Sequence, residues 1–230
     1  MSLHLPKLRT LLQSSEVVLD TDRLVEMLAA DDRVVLQDWL ENQLSALGLQ
    51  AFVYRVMVPV TAAVGEAWAS DRLDIYQEHL YTEIIQSLVR QALAAHFRGN
   101  GEPRIMLVTL QGEPHSLGLL MVEALLRIGG TEVIPFGTEM PISDIKKAAV
   151  GHEVDVIGLS FSCNFRNDEA IVKLSSLRKR IDHRTQIWVG GAAFSSGQNM
   201  PVGVKLLGSL EAVELALADW RKNRKINAGG

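Results

Sequence analysis

Residues 104–118 read RIMLVTLQGEPHSLG. Arg104–Leu110 is an apolar, β-rich run, and Gln111–His115 is a polar loop containing Gly and Pro. Behind it, Ser116–Arg127 has helical periodicity and is closed by Gly129-Gly130. The same alternation continues outward. Glu132–Pro135, Val154–Ser160 and Gln186–Val189 are further strand candidates, with helical stretches at Ile142–Val150 and Asn167–Ile181 between them. Short buried β runs alternating with helices predict an α/β, Rossmann-like (flavodoxin-like) doubly wound parallel sheet. In such a sheet a ligand sits at the carboxyl ends of the strands. Those ends are Gln111–His115, Phe136–Gly137, Ser160–Asn164 and Gly190–Phe194.

The character of the chain changes near Gly99. Before it, Gly is scarce and apolar residues recur at helical spacing. Leu24, Val25, Leu28 and Ala29 follow a Thr21 or Asp20 cap, and Val34, Val35, Trp39, Leu40, Leu44 and Leu47 run on to Gly48 as a helix stop. A third helix is expected over about Phe52–Trp68, with Pro59 as a kink or late start. A fourth, over about Ile75–Phe97, carries Leu80, Ile84, Leu88, Val89 and Leu93. The expected organisation is an N-terminal extension (1–20), a four-helix bundle (21–99) and the sheet domain (100–230) with a short basic tail. The extension reads equally as a short helix or a frayed end. The tail, Arg221–Lys225, reads as a solvated terminus.

Composition narrows the function. The chain has 230 residues, 47% hydrophobic and 22% charged, as in an ordinary globular protein. Its net charge of −4 supplies no broad basic surface for nucleic acid or anionic membrane. The lone Cys163 excludes an intrachain disulfide and a Cys-based zinc finger. No apolar run approaches the ~18 residues of a membrane span, and no signal peptide is visible, so a cytoplasmic location is expected. P-loop, Gly-x-Ser-x-Gly and His-Glu-x-x-His motifs are absent, and nothing requires an enzyme. His4, His96, His152 and His183 have no partner at ligand spacing and are expected on the surface.

Three elements fall at fixed intervals on the expected strand ends. His115 follows Glu113 by two residues and precedes Gly118 by three. Forty-one residues then lead to Ser160-Phe161-Ser162, and 27 more to Gly190-Gly191. Any one alone is an ordinary loop feature. Together the pattern resembles the cobalamin-binding domain, with its Asp-x-His-x-x-Gly, Ser-x-Leu and Gly-Gly elements. Glu113 stands where that pattern has Asp, and Ser162 where it has Leu. The resemblance implies His115 as the cobalt ligand beneath the corrin, oriented by Glu113. It also implies Ser160 and Gly190-Gly191 around the displaced nucleotide tail.

In the helical half, Trp68-x9-Glu78-His79 resembles a motif of the light-sensing MerR-type cobalamin repressors of carotenoid genes. Ile75 stands at that family's Val position and shares a helix face with Glu78 and His79. In that family these residues pack around a 5′-deoxyadenosyl group, so adenosylcobalamin is the implied cofactor. The likeness covers about residues 20–215. Ala69 stands where the family has the His that binds cobalt after illumination, and the residues ahead of the first helix are too few for the family's DNA-binding domain. The resulting expectation is a cobalamin photosensory or regulatory module, without specific DNA or membrane binding, acting through a regulator or receptor protein, without enzymatic activity of its own, and a candidate homo-oligomer. A corrinoid methyl carrier is the alternative, and the cobalamin subunit of a mutase a more distant one.

Overall fold

The computed structural model describes residues 21–96, 100–195 and 197–228. The expectations for residues 1–20, His4, the Asp20 cap, Phe97, Gly99 and the side chain of His96 lie outside the described residues. The chain divides into two compact units, one ending at Val89 and the other running from Arg90. The division falls inside a helix, earlier than the composition change near Gly99.

The first unit is helical: α1 (Thr21–Ala29), α2 (Arg33–Leu47), α3 (Leu49–Phe52), a π turn (Val53–Met57), α4 (Val58–Ala69) and the first part of α5 (Ile75–His96). Asp32 caps α2 by accepting from the Val35 N–H at 3.1 Å. That start directs Leu36 and Leu40 inward, four residues apart. The expected core positions Val34 and Val35 are instead 68% and 48% exposed. The third helical stretch begins at Leu49, before the expected Phe52, and α3, the π turn and α4 follow one another without a break. The π turn stands directly ahead of Pro59. A proline lacks an N–H and crowds the carbonyl four residues back, and here the Val58 N–H bonds to Val53 O, one residue further than in an α-helix. Tyr81 is fully buried and shares a 2.9 Å hydrogen bond with Thr61, so α5 and α4 are joined inside the unit by a satisfied hydroxyl pair. Burial pushes its phenol well above the usual range.

The second unit is a five-stranded, all-parallel sheet in the order β2-β1-β3-β4-β5. Its elements are β1 (Gly101–Leu110), α6 (Leu117–Ile128), β2 (Thr131–Met140), α7 (Ile142–Gly151), β3 (Val156–Ser160), α8 (Asn167–Arg178), β4 (Gln186–Gly190), β5 (Val204–Leu206) and α9 (Leu210–Ala228). The period-two alternation of β1 sorts its side chains onto opposite faces. Met106 and Val108 join the core that contains α7 and α8 residues, and Ile105 and Leu107 the core that contains α6 and α9 residues. This is the flavodoxin-like order, whose reversal between β1 and β3 opens a crevice at their carboxyl ends.

Two features differ from the sequence expectation. β2 runs on through Gly137 to Met140, and the short β5 adds a strand beyond β4. The basic tail is the last part of α9, in which Lys222, Asn223, Arg224 and Lys225 are exposed and Arg221 is half-buried. Arg221 donates to Glu102 O, Gly129 O and Thr131 Oγ1, while Arg224 pairs with Glu102 at 2.8 Å. These residues fasten α9 beside the amino ends of β1 and β2.

Candidate functional site

The loop that follows β1 turns back at once, with the Glu113 N–H bonding to Leu110 O at 2.9 Å. Thr109, fully buried at the end of β1, donates its hydroxyl to Glu113 O and accepts from the Glu139 N–H at 2.9 Å. The turn is therefore fixed from β1 and from the end of β2.

Glu113 is 1% exposed and both its oxygens are used. Oε1 accepts from the His115 N–H at 3.1 Å and lies 2.6 Å from His115 Nδ1. Oε2 accepts from the Ser162 N–H at 2.7 Å and the Ser162 hydroxyl at 2.9 Å. Burial alone would raise this carboxyl's pKa. The hydrogen bonds from His115 and Ser162 outweigh it, and the pKa lies below its ordinary value. A buried carboxylate is thus held charged against the imidazole, while the His115 side chain is 47% exposed. With Nδ1 facing the carboxylate, Nε2 is the nitrogen that would take a metal.

The two departures from the family motif meet here. Glu113 is one methylene longer than Asp, and Ser162 replaces an apolar side chain with a hydroxyl. The longer carboxylate reaches across to the loop after β3, where the hydroxyl receives it. No reading of either position alone indicated the pairing, since 48 residues lie between them.

Gly118, in the first turn of α6, lies against Ser160 at the end of β3. A β-carbon on Gly118 would stand 2.5 Å from Ser160 Oγ, so a larger residue at this helix start would have to displace that hydroxyl. Ser160 pairs with Gly190 in the sheet register, and the Phe161 N–H bonds to Gly190 O at 3.0 Å. Gly191 has φ 109°, and a β-carbon there would stand 2.1 Å from Phe161 O. Of the Gly-Gly pair, read in sequence as room for a ligand, Gly191 is already required by the Phe161 backbone just after β3, while a β-carbon on Gly190 would stand 3.0 Å from Leu207 O. The sheet unit thereby brings Glu113, His115 and Ser162 into one network and sets Gly118, Ser160, Gly190 and Gly191 on the adjoining strand ends.

The remaining candidates belong to the helical unit. Trp68 lies in the last turn of α4 at 40% exposure, and Ile75 opens α5 at 58%. Glu78 accepts from the Thr82 hydroxyl at 3.0 Å and lies 3.6 Å from His79 Nε2. Their helix start is firmly tied. Gln77 accepts from the Asp74 N–H at 2.9 Å, in the manner of a capping box, and its amide donates to Leu28 O at 3.2 Å. The sequence reading passed over Gln77. Its place three residues after Asp74 was the available signal.

Among the described residues no cluster of three or more His, Cys, Asp or Glu side chains could hold a bare metal ion. The sheet unit offers one oriented imidazole instead. That fits a metal which arrives in a macrocycle with its equatorial positions filled, as cobalt does in a corrin.

The site and fold together define a cobalamin-binding module, and the family models agree. Residues 103–209 match a B12 binding domain and residues 21–92 match a second B12 binding domain model. The matches take in most of the chain, which belongs to the B12-binding domain family. Among curated relatives, the HTH-type transcriptional repressor CarH of Myxococcus xanthus is 32% identical over 176 residues, covering 75% of this chain and 58% of the repressor. CarA of the same organism, also an HTH-type transcriptional repressor, is 28% identical over 122 residues, 53% of this chain and 41% of the repressor. The chain thus spans about half the length of the repressors it matches. Among solved structures, the Methanosarcina barkeri monomethylamine corrinoid protein superposes with a TM-score of 0.66 at 14% identity, covering 85% of this chain and 96% of that one. That likeness shows the fold.

Proposed function

We propose that this chain is a cobalamin photosensory module that binds adenosylcobalamin with the cofactor's own base displaced and His115 as the lower ligand of cobalt. The observation that carries the reading is the buried Glu113 carboxylate, held by Ser162 and aimed at His115 Nδ1 on the carboxyl side of the parallel sheet. The likeness to CarH supports the sensory part.

The residues divide the work. Glu113 holds the imidazole orientation and receives the Nδ1 proton, which makes Nε2 the more electron-rich donor. Ser160, Gly190 and Gly191 border the strand ends along which the displaced nucleotide tail would lie. Trp68, Ile75, Glu78 and His79 are the groups proposed for the adenosyl side, with an indole for the adenine face and a carboxylate for ribose or adenine donors. When bound, the cofactor supplies a cobalt–carbon bond that visible light breaks. Loss of the group against Trp68 and Ile75 would remove apolar contacts from the helical unit and shift its population of conformations. A regulator or receptor protein would read that shift, with the chain acting in the cytoplasm as a non-catalytic component and without contacting DNA itself.

Visible spectra of the protein with adenosyl-, methyl- and hydroxocobalamin, before and after green light, test the reading. A base-displaced spectrum with adenosylcobalamin that changes irreversibly in light is expected. Preference for methylcobalamin, with demethylation by a corrinoid methyltransferase, would replace the sensor by a methyl carrier.

A further inference from the structure

Lys173 lies in the middle of α8, on a helix with no residue in the cobalamin motif. Its ammonium nonetheless donates to Gln111 O, at 2.5 Å, across 62 positions of sequence. Gln111 is the first residue after β1 and begins the loop that ends at His115. The same ammonium lies 2.8 Å from Glu169 Oε1 and 5.1 Å from the centre of the Phe165 ring. The position a β-carbon on Gly112 would take is 3.6 Å from it. Its side chain is 26% exposed, low for a lysine.

The base from which Lys173 reaches is itself anchored. Asn167, at the start of α8, donates to Ala193 O at 2.7 Å and to Gln198 Oε1 at 2.8 Å, and the Gln198 amide donates back to Asn167. Phe165 stacks edge-on against the fully buried Phe161 at 5.0 Å. The helix is thus tied to the loop after β4 and to the end of β3, and Lys173 extends that support to the loop after β1.

We infer that Lys173 is a positioning residue for the lower-ligand loop, holding the Gln111 carbonyl so that Glu113 and His115 are presented in one geometry. The inference rests on the reading of His115 as the cobalt ligand. A surface pair with Glu169 would need only the ordinary i,i+4 spacing of a helix. The bond to Gln111 gives the ammonium a second duty, since it satisfies a carbonyl acceptor at the point where the chain leaves the sheet.

The test uses the whole chain with Lys173→Met, Lys173→Arg and, as a control on the exposed end of α8, Lys179→Met. Hydrogen exchange of the Gly112, Glu113 and His115 amides, measured without cofactor, should quicken at least about fivefold in Lys173→Met, recover in Lys173→Arg and stay unchanged in Lys179→Met. With adenosylcobalamin bound, Lys173→Met should lower the fraction with the His-ligated, base-displaced spectrum. Unaltered loop exchange in Lys173→Met would overturn the inference, as would an unaltered spectrum despite quicker exchange. If Lys173→Met does not fold, Glu169→Gln loosens the same ammonium, and unaltered exchange there overturns the inference equally. Failure of the unmodified protein to take up cobalamin would sink the ligand reading instead, while the exchange result still shows whether Lys173 holds the loop.

Discussion

Glu113 is 1% exposed with four groups directed at its carboxylate, whereas Trp68 is 40% exposed, Ile75 58% and the His79 side chain 68%. Both sets were read as cofactor contacts, yet they are prepared differently. In the sheet unit a buried charge would be costly unless fully hydrogen-bonded, so the residues around His115 are fixed by the fold itself. In the helical unit the backbone is fixed, through Gln77 and the Asp74 cap, while the Trp68, Ile75 and His79 side chains lie at the surface and only Glu78 is partly buried. On the proposed reading, the first region would hold the ligand and the second would respond to it. Variants in the first should therefore alter affinity for every cobalamin, and variants in the second should distinguish between upper ligands.

The largest effect is expected at His115. His115→Ala should weaken cobalamin binding beyond the ~10–100-fold that losing an orienting partner usually costs. Any cofactor still bound should show the dimethylbenzimidazole-on spectrum. Titration followed by absorbance measures both, and unchanged affinity and spectrum would remove the sheet unit's assigned role.

Glu113→Gln comes next. An amide can accept on one side only, so either His115 or Ser162 would face an NH2 group, at a cost of about 1–3 kcal/mol in stability and about 10–100-fold in affinity. The pH dependence of stability should change as well. The folded carboxyl's pKa is below its ordinary 4.5. Its stabilisation is therefore complete above that ordinary value and is lost as pH falls through the folded one. Acid unfolding of Glu113→Gln should lack this component, so its stability should fall less steeply below about pH 4.5 than the parent's. Parallel acid-unfolding curves would contradict the charged state of Glu113.

The same contrast explains what could be read before the structure. The strands β1, β3 and β4 are apolar runs between loops, and the His115, Ser160 and Gly190 elements stand at their ends, so fold class and strand-end residues were legible from pattern. β5 was not, because Val204–Leu206 has three residues and takes its place from pairing with β4. Nor was the anchoring of α9 legible, because Arg221 and Arg224 find their acceptors on Glu102, Gly129 and Thr131, far away in sequence. The Glu113–Ser162 bond was hidden for the same reason. Each position looked like a small departure from a motif, and only the folded loops show that the departures fit one another.

A smaller effect is expected from the helical unit. Trp68→Ala and Glu78→Gln should lower affinity for adenosylcobalamin, by about tenfold for removal of a stacked aromatic and a hydrogen bond to ligand, and leave methylcobalamin nearly unaffected. Competition between the two cofactors on each variant measures the selectivity. Equal losses would mean that the helical residues serve the fold, and would favour a methyl carrier.

His79→Ala should change least, and the smallness is informative. Ala69 has no donor atom, so among the motif residues His79 is the one imidazole on the helical unit that illumination could bring to cobalt. It sits on α5 between Glu78, 3.6 Å from its Nε2, and Leu80, and α5 is committed to the bundle by the buried Tyr81, Ile84 and Ile85. Turning His79 toward a new ligand would rotate those side chains out of a close-packed core, where even one displaced methylene is felt. The illuminated protein should therefore take up free imidazole or cyanide rapidly, at a rate that His79→Ala leaves unchanged. Slow exchange in the parent that becomes fast in His79→Ala would show the helical unit capturing the metal after all, and would make it as much a ligand-holding region as the sheet.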